Sequence, residues 1–250
     1  MEAHEYQTLF EFETSYWWFR GLHLILLDAL KAVGIGRNEA VLDAGCGTGQ
    51  HLVNLTQQIT PHAFGFDLAS DAAPFWAVRG LNTVCLASVN DIPFPADTFQ
   101  AVTSVDVLEC DAVNEHRAYH EMWRVLKPGG YLVLIVPAYE WLMTEEHHRA
   151  VGAARRYSKK RLKDLLNTRP VELMRMTHVF GSLLPAIAAY RLGLPCIRRR
   201  SEGPPTSELR PLHPAVNTLL YRIMQGERRY LQRWNLPFGS SILAVVRKVG

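Results

Sequence analysis

Ten residues constrain this chain more than any others. VLDAGCGTGQ, residues 41–50, runs from an apolar pair into an acid, Asp43, and then into glycines at alternate positions, Gly45, Gly47 and Gly49. A strand that turns at once into a helix needs such glycines, because they adopt positive φ without steric cost and let a ligand approach the backbone. A dinucleotide-binding turn reads G-x-G-x-x-G, with an acid about 20 residues further on. Counted from Gly45, the third glycine would fall on Gln50; it stands one residue early, at Gly49. Asp43 sits two residues before the first glycine, where it would repel a pyrophosphate and attract a cationic amino-acid group. The expected guest is therefore S-adenosylmethionine. Taken alone, the turn also fits a plain tight loop.

Around that turn, strand and helix patterns alternate, which predicts a mostly parallel sheet covered on both faces. Residues 17–33 read as an amphipathic helix ended by Gly34 and Gly36. Strands are expected at 39–44, 62–67, 83–88, 99–107, 131–138, 171–179 and 240–248. The run 131–138, YLVLIVPA, is continuously apolar, as a strand buried on both faces should be. Helices are expected at 114–126, ended by a turn at Lys127-Pro128-Gly129-Gly130, at 158–166 with Ser158 as cap, and at 215–233. The fold class is α/β, doubly wound, in a single domain spanning 1–250. It divides into an N-terminal helical cap (1–38), a cofactor-binding core (39–179), a helical lid or insertion (180–239) and the last strand (240–250).

Composition sets outer bounds. Hydrophobic residues make up 48% and charged residues 20% of the 250, the balance of a globular chain. A net charge of +3 is too small to argue for nucleic acid. The four cysteines, Cys46, Cys85, Cys110 and Cys196, form no C-x-x-C pair, which suits a reducing cytosol and argues against a zinc site. The acidic start, MEAHEYQTLFEFE, does not read as a secretory signal. Residues 179–197 are about as long as a spanning helix but contain Pro185, Arg191, Gly193 and Pro195, so a buried or lid helix is expected there. Arg198–Arg200 keep surface attachment to anionic lipid as a second reading.

VLDAGCGTGQ, GFDLAS, NDIPFPADTFQAV, VDVLE and RVLKPGGYLVLIVP, in this order over residues 38–180, resemble class I S-adenosylmethionine-dependent methyltransferases of the type 11 and type 23 groups. The resemblance implies a Rossmann-like sheet of seven strands with the cofactor at the carboxyl ends of the first four. Asp43, Gly45, Cys46, Gly47 and Gly49 would hold its methionine end. Asp67, 18 residues after Gly49, would accept the ribose hydroxyls. Leu68, Ser88 and Val89 would line the adenine, and Asp106 and Val107 would open onto the methyl group. Similar N-terminal helices cap the cofactor. Arg20 would then pair with its carboxylate, and Tyr16 or Trp18 would cover the sulfonium by a cation–π contact. The alternative is a helix that uses these aromatics as core anchors.

The acceptor is expected at Tyr16, Trp17 and Tyr139 and along TEEHHRAVGAARRYS, 144–158, a loop that commonly faces the acceptor in such proteins. It is similar to a subgroup pattern H-D-x-x-x-G-H-x-R-R-Y, with His148 in place of the Asp and Ala153 in place of the second His. His147 and His148 are the candidate general bases, since imidazole titrates near neutrality, or else hydrogen-bonders of loop or substrate. Arg155, Arg156 and Tyr157 would bind an anionic acceptor, or the arginines would pair with Glu145 or Glu146.

The function expected is methyl transfer to oxygen, nitrogen or carbon of a small molecule, as in natural-product biosynthesis, without a metal or a nucleic-acid partner. A cytoplasmic location, peripheral to a membrane in the second reading, goes with it. The alternatives are a membrane-surface enzyme acting on a lipid-linked acceptor, a cofactor-binding protein without turnover and, more distantly, a nicotinamide oxidoreductase.

Overall fold

The structure is a computed structural model that describes residues 3–189 and 209–249; for Glu146 and His147 it describes the backbone alone. Two helices open the chain, α1 (Ala3–Phe12) and α2 (Trp17–Ala32). The core follows as β1 (Val41–Ala44), α3 (Gln50–Gln58), β2 (Ala63–Asp67), α4 (Ala73–Val78), β3 (Val84–Leu86) and β4 (Phe99–Val105). Then come α5 (Glu115–Val125), β5 (Leu126–Pro137), α6 (Glu145–Val151), α7 (Lys159–Leu166), β6 (Val171–Val179), α8 (Pro214–Leu231) and β7 (Ser241–Lys248).

The strands form one sheet in the order β3-β2-β1-β4-β5-β7-β6. β1 to β5 are parallel, and β7 runs antiparallel between β5 and β6. Alternation along the strands sorts side chains into two cores. Leu132, Leu134 and Val136 join Ile242, Ala244 and Val246 on the face covered by α5 and α7. Val133, Ile135, Leu243 and Val245 join Leu26, Leu30, Leu52, Leu55 and Met224 on the face covered by α2, α3 and α8. The continuous apolar run in β5 is the result of burial on both faces.

Three elements depart from expectation. Helix α1 falls within the expected N-terminal helical cap, but it forms a second helix ahead of the one expected at 17–33; its pattern is short and its fully buried residues are Glu5 and Tyr6. Extended backbone begins at Leu126, which pairs with Phe99, so Lys127–Gly130 is an irregularity inside the β4–β5 ladder and not a turn before it. Gly130 permits this: a Cβ there would lie 2.9 Å from the Lys127 carbonyl oxygen and 3.0 Å from that of Gln100. The third strand shrinks to Val84–Leu86.

Helix α8, within the expected lid, is clamped along α2. Arg228 makes a two-pronged ion pair with Asp28 at 2.7 Å on each prong, and Asn217 accepts from the Trp17 amide at 2.9 Å. Glu227, buried, accepts from the backbone amides of Phe180 and Ser182. Of the apolar segment 179–197, Val179 ends β6 and residues 184–189 are helical; residues 190–197 and the arginines at 198–200 lie outside the described residues. Among the described residues no helix is long and apolar enough to cross a membrane.

Candidate active site

Strand directions bring the expected site residues to one edge of the sheet. The carboxyl ends of β1 to β5 share that edge, and the antiparallel pairings place the carboxyl end of β6 there too, Val179 opposite Ser241 and Pro137 opposite Ser241. The strand order reverses between β1 and β4, which opens a crevice at that edge. Among the described residues four non-glycine residues have positive φ, and three stand on this edge: Asp106 after β4, Tyr139 after β5 and Phe180 after β6. Such strain persists where surrounding structure over-determines it, and it concentrates at functional sites.

At the β2–β1–β4 end, the glycine loop leaves β1 through amides. Gly45 and Cys46 donate to the Phe66 carbonyl at 3.0 and 2.9 Å, and Gly47 donates to the Asp67 carboxylate at 2.8 Å. Gly45 has φ +82, and a Cβ there would lie 2.4 Å from Val107 Cγ2, so loop and β4 end close only over a glycine. Asp67 also accepts from the Ala69 amide at 3.0 Å. Leu68, next to it, is exposed; Val89 is buried, and the Ser88 hydroxyl accepts from the Asn90 amide at 3.1 Å.

Asp43 is buried at 3% exposure and accepts one hydrogen bond, from the Thr103 hydroxyl at 2.8 Å. Among the described residues no basic side chain pairs with it. Burial, aided by the charge of Asp67, raises its pKa to about 7. A buried acid lacking a cation, one strand from a second acid tied to backbone amides, fits a ligand with an ammonium or sulfonium centre and a ribose. The donor set therefore suits S-adenosylmethionine, with Asp43 and the glycine loop toward the amino-acid end and Asp67 toward the ribose.

Helix α1, within the expected N-terminal cap, covers this end. The Tyr6 hydroxyl donates to Asp67 at 3.4 Å, and Leu9 lies over Gly47. Glu13, just past α1, is buried and engaged by the Thr48 hydroxyl and the Arg79 guanidinium. Burial raises the Glu13 pKa despite these partners. Arg79 also donates to the Thr48 carbonyl at 3.0 Å, and Trp76 donates to the Gly47 carbonyl at 2.7 Å. The Gly47 and Thr48 carbonyls are thereby held by α4 and its C-cap residue.

At the β5–β7–β6 end the groups are aromatic. Tyr139 stacks on His178 and Trp141, with centroids 5.5 and 5.6 Å apart. Trp18 stacks on Phe180 at 5.4 Å, Trp17 meets the same ring edge-on, and Tyr16 lies against Trp17. Phe180, His178 and Trp141 went unnoticed in the sequence, since only the strand ends reveal where they stand.

Several expected acceptor and cofactor groups are placed elsewhere. Arg20 lies 3.6 Å over the Tyr221 ring, drawn by the electron-rich face, and so points to α8. Arg155 donates to the Leu108 and Val113 carbonyls at 3.1 and 2.9 Å, and the buried Arg156 donates to the Ala138 carbonyl at 2.9 Å. Tyr157 is buried, its hydroxyl 2.6 Å from Glu115 and 3.1 Å from the Leu108 carbonyl. These three side chains brace the loop against the β4 and β5 ends, which corrects the expectation that they reach an anionic acceptor. His148 Nδ1 lies 2.6 Å from the Ala153 carbonyl. A carbonyl only accepts, so Nδ1 donates to it, and in the neutral ring the lone pair lies on Nε2. The side chain of His147 lies outside the described residues. Glu109, in the VDVLE stretch, is a further group: it is buried, one carboxylate oxygen has no hydrogen-bond partner among the described residues, and burial, aided by the charge of Asp106, raises its pKa well above the usual carboxylate range.

Comparison with known proteins agrees with this geometry. Residues 42–134 match a family model described as a methyltransferase domain. A sterol 24-C-methyltransferase of Neurospora crassa is 34% identical over 122 residues, which cover 46% of this chain and 31% of that one. A probable tRNA methyltransferase 9B of Mus musculus is 33% identical over 111 residues, covering 44% and 23%. This chain thus spans about a third or less of those relatives' lengths. A solved chain from a complex between the Haloferax volcanii Trm112 methyltransferase activator and a methyltransferase shares the fold, with a TM-score of 0.61, 17% identity and coverage of 92% and 91%. Over residues 42–134 the chain is therefore similar to class I S-adenosylmethionine-dependent methyltransferases, a family whose cofactor is S-adenosylmethionine.

Proposed function

We propose that the chain is an S-adenosylmethionine-dependent methyltransferase acting on a small-molecule acceptor bound at the β5–β7–β6 end. One observation carries the reading: a buried, cation-free Asp43 under a glycine loop whose Gly47 amide is tied to Asp67, at the point where strand order reverses. When bound, the cofactor supplies an electrophilic methyl group on sulfonium sulfur. Asp43 and the glycine loop orient its charged end, and Asp67 holds the ribose. Alignment of this kind accounts for several kcal/mol of barrier reduction in well-oriented reactions. His148, with Nε2 basic, is the proton acceptor where the acceptor atom must lose a proton.

The relatives do not decide the acceptor, since one is named for a sterol and another for tRNA. A small molecule is favoured because Arg155, Arg156 and Tyr157 brace their own loop, and rings dominate the β5–β7–β6 end. The lipid-linked reading rested on 179–200, of which 190–200 lie outside the described residues.

The test is thermal stability and calorimetry with S-adenosylhomocysteine against NAD, followed by labelled-methyl transfer to sterol, quinol, amine and tRNA acceptors. A ligand at about 100 times its Kd stabilises the native state by about 2.7 kcal/mol. S-adenosylhomocysteine should raise the melting temperature and NAD should not; the reverse sinks the cofactor assignment. Label in tRNA overturns the small-molecule acceptor, and binding without transfer to any acceptor favours a protein without turnover.

A further inference from the structure

Helix α8 turns Met224, Glu227 and Leu231 inward, where they are buried. Its outward face carries Val216, Leu219, Ile223 and Tyr230, all exposed, Leu219 at 58%, and Trp234 follows just past the helix at 63%. At 3.6 residues per turn the four helical residues fall within about 60° of arc, a single stripe. Gly226 lies on the same face, and nothing stands within 4 Å of where its Cβ would be. Arg222, Arg229 and Arg233 run beside the stripe, about a quarter turn away. All three are exposed, and among the described residues none has a carboxylate partner. The other arginine of this stretch, Arg228, faces inward to Asp28.

A helix packed on a globular core ordinarily presents polar residues to water. This one presents an aliphatic stripe with an exposed cationic row along it and a Tyr and a Trp near its C-terminal end. That is the composition of a helix lying in a membrane interface: apolar side chains enter the acyl boundary, arginines meet anionic headgroups, and Tyr and Trp sit at headgroup depth. A nucleic acid would engage the arginines but leave Val216, Leu219 and Ile223 in water. A protein partner would have to cover three parallel cations with acids. We propose that the outer face of α8 seats the chain on an anionic lipid surface. The proposal is independent of the methyl donor and acceptor.

The test is co-sedimentation of the full chain with phosphatidylcholine vesicles, with and without roughly 30 mol % phosphatidylglycerol. Binding should require the anionic lipid and weaken at high salt, since exposed charges are screened. Two variants, Leu219→Ser with Ile223→Ser and Arg222→Gln with Arg229→Gln and Arg233→Gln, should each lower the partition coefficient by at least about tenfold. Their melting temperature and S-adenosylhomocysteine affinity should stay at wild-type values. No binding to anionic vesicles at low salt overturns the proposal, as does equal binding by both variants. A lowered melting temperature in the serine variant would show the stripe packed within the chain. A dimer in sedimentation equilibrium that this variant dissolves would assign the face to a second copy, and retention by tRNA with no retention by vesicles would assign it to nucleic acid; each of these also overturns it.

Discussion

At the β2–β1–β4 end of the sheet edge the chemistry rests on main-chain amides and two carboxylates, Asp43 and Asp67. At the β5–β7–β6 end it rests on stacked rings, with arginines that hold the loop in place. The first end depends on backbone path, which glycine spacing and strand ends determine locally. The second depends on which side chains meet after strands far apart in sequence have paired. His178 and Tyr139 become neighbours only because β7, the last strand, inserts between β5 and β6. The donor end is therefore a property of short motifs, whereas the acceptor end is a property of the completed sheet.

The largest expected effect tests the donor end. Asp67→Ala removes a carboxylate that holds the Gly47 amide and would hold the ribose, and hydrogen bonds to charged groups contribute about 1.5–3 kcal/mol each. S-adenosylhomocysteine affinity by calorimetry should fall on the order of 100-fold, about 2.7 kcal/mol. An unchanged affinity would remove the distinction between the two ends.

Next in size is Arg155→Ala. It leaves the Val113 carbonyl without its donor, at about 1–3 kcal/mol for a buried orphan, and leaves the Leu108 carbonyl with the Tyr157 hydroxyl alone. Stability in urea should fall by about 2 kcal/mol while donor affinity holds. Lost turnover with full stability would return Arg155 to the acceptor.

A third prediction concerns pH. The folded pKa of Asp43 is about 7 against an ordinary 3.8. The folded value is raised, so in the ligand-free protein this contribution to stability is fully present below pH 3.8 and is lost as pH rises through about 7. A cationic ligand prefers the ionised form. S-adenosylhomocysteine should therefore bind more tightly as pH rises toward about 7, up to about tenfold per unit, with proton release. Calorimetry in buffers of different ionisation enthalpy measures that proton, and Asp43→Asn should abolish both effects. A flat profile in the wild type would mean that Asp43 does not meet the cationic end.

The smallest effect belongs to the cap. Tyr6→Phe removes one long hydrogen bond to Asp67, so donor affinity should change by less than about threefold, within about 0.6 kcal/mol. A larger change would make α1 part of the donor site.

How much was readable in the sequence follows the same division. The seven strands, the glycine loop and the acids at 43 and 67 were predictable, because apolar periodicity and glycine spacing report backbone geometry directly. The N-terminal cap was legible as a whole, but α1 as a helix of its own was not, because its contact with the site depends on Tyr6 reaching Asp67, 61 residues away. Arg155 and Arg156 were read as ligand-facing because a guanidinium suits a carbonyl as well as an anion, and the sequence does not say which lies nearby. Arg20 was misdirected for a related reason: its partner, Tyr221, lies on a helix of the insertion.

The clamp between α2 and α8 also bears on how the molecule is made. The Asn217 contact with the Trp17 amide and the Arg228 pair with Asp28 each span 200 residues of sequence. Long loops must close before such contacts form, which slows folding of high-contact-order chains. During vector synthesis from the N-terminus, α2 therefore waits for its partner until most of the chain has left the ribosome. Until then the apolar face that α8 covers is open, and this interval is when the nascent chain is most exposed to aggregation and to capture by chaperones.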